Sequence, residues 1–290
     1  MEKKWFDEKL YESSLEIGFK QSLINNQTIV SKKSEFQEIE IFDSSRFGRV
    51  LALDGVIQTT EADEFFYHEM FTHVPIITHG NVGSVLIIGG GDGGILREVL
   101  KHKSVKQAVM IEIDSEVIDL CKKHMPALNG GAFADSRVLL KVADGIEYVR
   151  NSAEKFDLII VDSTDPINVG EVLFTDEFYQ NAKKCLNDGG ILSTQSGVPF
   201  LQSGELKNIQ NRLGKIFKDL TFYVVPVPTY IGGFMCLSFA SDNTSLKNLD
   251  IKEIEKRFSQ AQIEDTKYYN PQIHAASFAL PQYIKKIIKT

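Results

Sequence analysis

From Val85 onward, short apolar runs alternate with longer segments that mix apolar and polar residues. The runs are Val85 to Ile88, Ala108 to Glu112, Val138 to Val142, Phe156 to Val161 and Ile191 to Gln195. Each has strand length, and the stretches between them read as helices. That alternation predicts an α/β fold in which a doubly wound parallel sheet is covered on both faces. Phe222 to Pro226 and Phe234 to Phe239 predict a final pair of strands, and Leu249 to Phe258 a peripheral helix. Before about Thr60 the pattern shortens to alternating segments, Ser34 to Phe42 and Gly48 to Leu53, followed by an Asp54-Gly55 turn. This predicts a small N-terminal β domain over residues 1–60 and a larger domain over 61–290. A helix from Glu61 to about Thr72 leads from one to the other.

The first apolar run ends in Gly89-Gly90-Gly91-Asp92-Gly93-Gly94, and Ile95 to Leu100 reads as the helix that follows. Glycines at a strand-to-helix turn permit positive φ and let backbone approach a ligand closely. The second run ends at Glu112, about twenty residues on, where nucleotide sites of this type place a carboxylate on ribose hydroxyls. Asp92 sets this turn apart, because a carboxylate there repels a pyrophosphate and suits a ligand that is cationic at that point. Further acids follow the third and fourth runs: Asp144, Asp162 and Asp165. Asp is common at helix caps and turns, so any one of these has a structural explanation. Five of them in register at the carboxyl ends of strands point to a site. A dehydrogenase of the Rossmann type explains Glu112 but neither Asp92 nor the Asp162–Asp165 pair.

Composition narrows the classes. The chain has 290 residues, 43% hydrophobic and 24% charged, as expected of a globular enzyme. A formal charge of -7 argues against a nucleic-acid partner and favours cationic small molecules. Cys121, Cys185 and Cys236 are odd in number and widely spaced, which predicts neither a disulfide nor a metal cluster. The opening residues lack the apolar core of a signal peptide, and no run approaches a membrane span. A cytoplasmic protein with no membrane partner is the expectation.

Seven motifs, in order, make this sequence resemble the polyamine aminopropyltransferases, the family of spermidine synthase. They are Leu53-Asp54-Gly55-Val56-Ile57-Gln58, Asp63-Glu64-Phe65-Phe66-Tyr67-His68-Glu69-Met70, the glycine turn from Gly89 to Gly94, Glu112-Ile113-Asp114, Asp144-Gly145, Asp162-Ser163-Thr164-Asp165-Pro166 and Pro228-Thr229-Tyr230. With Tyr268-Tyr269-Asn270-Pro271, they cover nearly the whole chain. The resemblance implies a methyltransferase-type, Rossmann-like catalytic domain behind the β domain. It implies transfer of an aminopropyl group from decarboxylated S-adenosylmethionine, a nucleoside sulfonium co-substrate, to the diamine putrescine. Spermidine and methylthioadenosine would be the products. It implies no separate cofactor, no metal and a homodimer.

Residue by residue, the resemblance places Glu112 on the ribose hydroxyls, Asp144 and Gly145 at the adenine, and Asp92 on the donor's ammonium. Gln37 and His68 border the donor. Gln58, Tyr67, Asp165 and Tyr230 line the acceptor channel, and Asp162 accepts the proton. Without the resemblance, Tyr67 and Tyr230 read as core aromatics and His68 as a packed histidine. The segment from Asp162 to Glu171 is long enough to fold over the site as a lid, although Val169 stands where many family members have a second proline. Two other functions fit the same fold. A diamine N-methyltransferase using intact S-adenosylmethionine would set a methionine carboxylate against Asp92. A nucleoside-binding regulator without catalysis would have no use for Asp162, Asp165 and the tyrosines.

Overall fold

The computed structural model describes residues 4–9, 19–163 and 175–289. Near the N-terminus, β1 (Lys4–Asp7) and β2 (Ser22–Asn25) form an antiparallel ribbon. A four-stranded antiparallel meander follows, made of β3 (Gln27–Lys33), β4 (Glu38–Ser44), β5 (Gly48–Leu53) and β6 (Val56–Thr60). Helix α1 (Glu64–His79) leads to β7 (Ser84–Gly89), α2 (Gly94–Lys101), β8 (Gln107–Glu112), α3 (Ser115–His124) and the short α4 (Pro126–Asn129). Next come β9 (Val138–Val142), α5 (Gly145–Asn151), β10 (Phe156–Asp162), α6 (Asp176–Lys184), β11 (Leu186–Thr194) and α7 (Ser203–Ile216). The chain closes with β12 (Asp219–Pro226), β13 (Phe234–Ser241), α8 (Ile251–Ala261), α9 (Pro271–Ser277) and α10 (Gln282–Lys289).

The period of two in β4 and β5 determines how the meander packs. Ile39, Ile41, Leu51 and Leu53 face Val117, Cys121, Met125 and Leu128 of the α3–α4 segment. Phe42, Val50 and Ala52 point the other way, against Phe6 and Leu23 of the ribbon. The β domain is thereby buried on both faces and fastened to the larger sheet's helices. One segment departs from expectation. Ser34 to Gln37 is a turn rather than strand, because the Ser34 hydroxyl accepts from the N–H groups of Phe36 and Gln37. Gln37 is left at the mouth of β4.

The large sheet runs β12-β13-β11-β10-β7-β8-β9. Its five middle and right-hand strands, β11 to β9, are parallel as the alternation predicted. The final strand pair adds an antiparallel edge, with β13 inserted between β11 and β12. From β7 the chain winds outward through β8 and β9, then returns to place β10 and β11 on the opposite side. The reversal between β7 and β10 opens a crevice beyond their carboxyl ends, which is where sheets of this kind bind ligands.

Helix α1 runs to His79, seven residues beyond the sequence expectation, despite Pro75 in its interior. A helical proline loses one backbone bond and costs about 3 kcal/mol. Val74, Ile76 and Ile77 around it are buried, each contributing roughly 1.5–3 kcal/mol, so packing outweighs the break.

Candidate active site

At the crevice, β7 and β10 approach so closely that one position admits only glycine. Gly89 has φ +84°, and a Cβ there would run into the backbone oxygen of Asp162. Gly90 N–H donates to that same oxygen at 2.9 Å. The two strand ends therefore deliver the glycine turn and the Asp162 side chain to one spot. Around them lies a cleft of about 480 Å³.

Of the residues singled out in the sequence, Gln37, Gln58, Tyr67, His68, Asp92, Glu112, Asp144, Gly145, Asp162 and Tyr230 all line this one cleft. Asp165 lies outside the described residues, as does most of the segment read as a lid. Two of these acids also have a local structural role, Asp144 as the cap of α5 and Asp92 in the turn before α2. Asp92 Oδ1 accepts from Gly94 N–H at 2.6 Å, and Asp144 Oδ1 accepts from Ile146 N–H at 2.7 Å at the start of α5. In each case one carboxylate oxygen is engaged by backbone while the residue still borders the cleft.

Electrostatics separate the acids. Burial, then the charge of Asp92, pushes the Asp162 carboxyl up to about 6, while His68 and a hydrogen bond from Tyr67 work the other way. Burial likewise raises Glu112 to about 7, against the pull of the Asp114 N–H that donates to it at 2.9 Å. His68 behaves oppositely. Burial disfavours its charge, but Asp92 and Glu64 prevail and hold the imidazole protonated up to about 10. Ionised carboxylates packed this closely need positive partners, and His68 supplies one from the protein.

The aromatic wall is built from two tyrosines whose ring centroids lie 5.7 Å apart. Tyr67 donates to Asp162 Oδ1 at 2.7 Å, and Tyr230 donates to the backbone oxygen of Gln58 at 2.8 Å. The Gln58 side chain turns back to Val56 O at 3.2 Å. Gln37 is tied to the end of β8 through Asp114, whose Oδ2 accepts from Gln37 Nε2 at 3.0 Å and from the Ser34 hydroxyl at 2.7 Å.

Three groups at or beside the cleft were not assigned a role from sequence. Asp114 joins the β domain to the end of β8. Asp63 accepts from Thr229 N–H and its hydroxyl, at 2.9 and 2.7 Å, and so fixes the turn that carries Tyr230. Glu8 lines the cleft from the N-terminal ribbon, with Ile57 N–H donating to it at 3.0 Å. These contacts span 49 to 166 positions along the chain for Glu8 and Asp63, too far apart for any local pattern to reveal. Among the described residues, no group of His, Cys, Asp and Glu is arranged to hold a metal ion.

Known proteins resemble this one along nearly the whole chain. Residues 64–253 match the model of the spermine/spermidine synthase domain, and residues 5–61 match that of the spermidine synthase tetramerisation domain. The polyamine aminopropyltransferase 1 of Pseudomonas aeruginosa is 50% identical over 96% of this chain and 97% of that protein. The polyamine aminopropyltransferase of Erwinia tasmaniensis is 49% identical over 95% and 96%. Among solved structures, a spermidine synthase in complex with the transition-state analogue AdoDATO superimposes with a TM-score of 0.92 at 40% identity, covering 99% of this chain and 95% of that one. The spermidine synthase of Thermotoga maritima gives 0.88 at 39%, over 99% and 94%.

Proposed function

The chain belongs to the spermine/spermidine synthase family, and from that premise we propose how its own residues carry the reaction. The enzyme transfers the aminopropyl group of decarboxylated S-adenosylmethionine to putrescine, giving spermidine and methylthioadenosine. One observation carries the assignment of roles: two carboxylates, Asp92 and Asp162, converge on the glycine turn at the switch point, with Tyr67 bonded to one and His68 beside the other.

The donor carries a sulfonium and an ammonium but no carboxylate, so Asp92 is its complement. Glu112 takes the ribose hydroxyls, Asp144 and Gly145 the adenine, and Gln37 and His68 the donor's flank. Putrescine enters between Tyr67 and Tyr230, along Gln58, with Asp165 completing the channel. Its far ammonium is met by Glu8. Its near ammonium resembles that of Lys, whose reference pKa of about 10.4 makes neutralisation at pH 7 cost about 4–5 kcal/mol. A neighbouring sulfonium and removal from water both lower that figure. Asp162 takes the proton, and the free amine attacks the methylene next to sulfur in line. The N–C bond forms as the C–S bond breaks. Its electron pair goes to sulfur, which leaves as a neutral thioether and needs no general acid.

The division at residues 60 and 61 follows the same logic: 1–60 supply Glu8, Gln37 and Gln58 as one wall, and 61–290 supply the rest. The match to a tetramerisation domain supports a homo-oligomer, for which a homodimer is the proposed unit. No helix among the described residues is long and apolar enough to cross a membrane, and all three cysteines are buried free thiols, which supports a reducing, cytoplasmic setting. Asp162→Asn tests the reading. It should lower kcat by roughly 10²–10⁴, the usual contribution of a general base, while calorimetric donor affinity stays within about threefold. A variant turning over at the wild-type rate would remove Asp162 from the base role.

A further inference from the structure

Beneath the cleft, a line of alternating charges runs inward along the contact between α1 and α2. His68 Nε2 lies 3.5 Å from Asp92 Oδ2, and its Nδ1 lies 2.6 Å from Glu64 Oε2. Arg97 Nη2 donates to that same Glu64 oxygen at 2.8 Å, and Arg97 Nε donates to Glu98 Oε1 at 2.8 Å. The third Arg97 nitrogen, Nη1, donates to the Leu128 carbonyl at 2.6 Å, which fixes the guanidinium. His68 and Glu64 are buried, at 2% and 6% exposure, so these charges have no water to rely on. The ring packs directly on Gly94, two residues after Asp92, where any Cβ would collide with it.

We propose that Glu64 is a positioning residue for aminopropyl transfer, acting through His68 as the internal counter-ion of the Asp92–Asp162 pair. This rests on the reading of Asp162 as the base. An imidazole whose two nitrogens both face carboxylates donates from both only when it is protonated. The charged and titratable groups facing the ring are Glu64 and Tyr67 on its own helix, Asp92 on the turn and Asp162 at the end of β10, with Arg97 behind Glu64. Glu64 is itself secured as a carboxylate: burial opposes its charge, but His68 and Arg97 hold it down at about 2. Without Glu64, Asp92 at 3.5 Å is the one carboxylate among the described residues left within ion-pair distance of the ring. A neutral ring no longer screens Asp162 from Asp92, and the base becomes harder to ionise.

The test pairs spectroscopy with kinetics on the full chain. In ligand-free, ¹⁵N-labelled protein, His68, assigned by comparison with His68→Asn, should show two protonated ring nitrogens through pH 8. In Glu64→Gln it should lose one below pH 8. The acid limb of kcat/KM for putrescine should move alkaline in that variant by about one pH unit, a tenfold loss of the ionised base below the limb. Its plateau above the limb should stay within about threefold of wild type, and Glu64→Asp should restore part of the shift. A uniform fall at every pH without a moved limb would overturn the proposal, as would a His68 in Glu64→Gln that stays doubly protonated. If the variants do not fold, a neutral His68 in the wild type at pH 7.5 overturns it alone. An active Asp162→Asn would refute the base assignment instead and leave the His68 titration as a separate result.

Discussion

The Tyr67 hydroxyl donates to Asp162 Oδ1 at 2.7 Å, so the aromatic wall of the cleft and its central carboxylate form one unit. The bond favours the ionised form of the acid.

That relationship fixes a pH dependence. Burial and Asp92 raise Asp162 to about 6, and only the carboxylate accepts a proton, so kcat/KM should be full above that value and fall as pH drops through it. Tyr67→Phe removes a bond that favours ionisation, so its acid limb should lie at higher pH than that of the wild type. A limb that moves to lower pH would contradict the assignment.

Donor choice should depend on Asp92. A charge-assisted hydrogen bond contributes roughly 1.5–3 kcal/mol, so decarboxylated S-adenosylmethionine should bind about ten- to a hundredfold more tightly than the intact compound. Asp92→Asn should narrow that ratio. Calorimetry giving equal affinities for the two compounds in the wild type would remove Asp92 from this role.

Acceptor recognition should require two cationic ends. Butylamine keeps the nucleophile but offers nothing to Glu8, and its kcat/KM should be at least about tenfold below that of putrescine. Glu8→Gln should reduce the difference by weakening putrescine and leaving butylamine nearly unchanged. Equal specificity constants for the two amines in the wild type would sink the two-ended channel.

Much of this architecture was legible because the signals are local. The strands β7 to β10 announce themselves as apolar runs of the right length, and each has an acid at its end or shortly after it, at Asp92, Glu112, Asp144 and Asp162, that the parallel topology carries to the same edge. The glycine turn was legible for a steric reason that the fold makes explicit, the contact of Gly89 with the Asp162 backbone. What was illegible depends on pairs far apart in sequence. Asp63 gains its purpose only when Thr229 arrives beside it, and Glu8 only when the ribbon folds over β6. The length of α1 was hidden because Pro75 signals a stop locally, and only tertiary burial overrides it. The Glu64–His68 spacing of four residues was visible in the sequence as one helical face, but Arg97 and Asp92, which give it meaning, come from the next helix and its turn.

The most direct test of the central claim is mass identification of products from purified enzyme given putrescine with either decarboxylated or intact S-adenosylmethionine. Spermidine and methylthioadenosine in equal amounts, from the decarboxylated donor alone, are the expected result. Methylated putrescine formed from the intact donor, or no spermidine from the decarboxylated one, would contradict it.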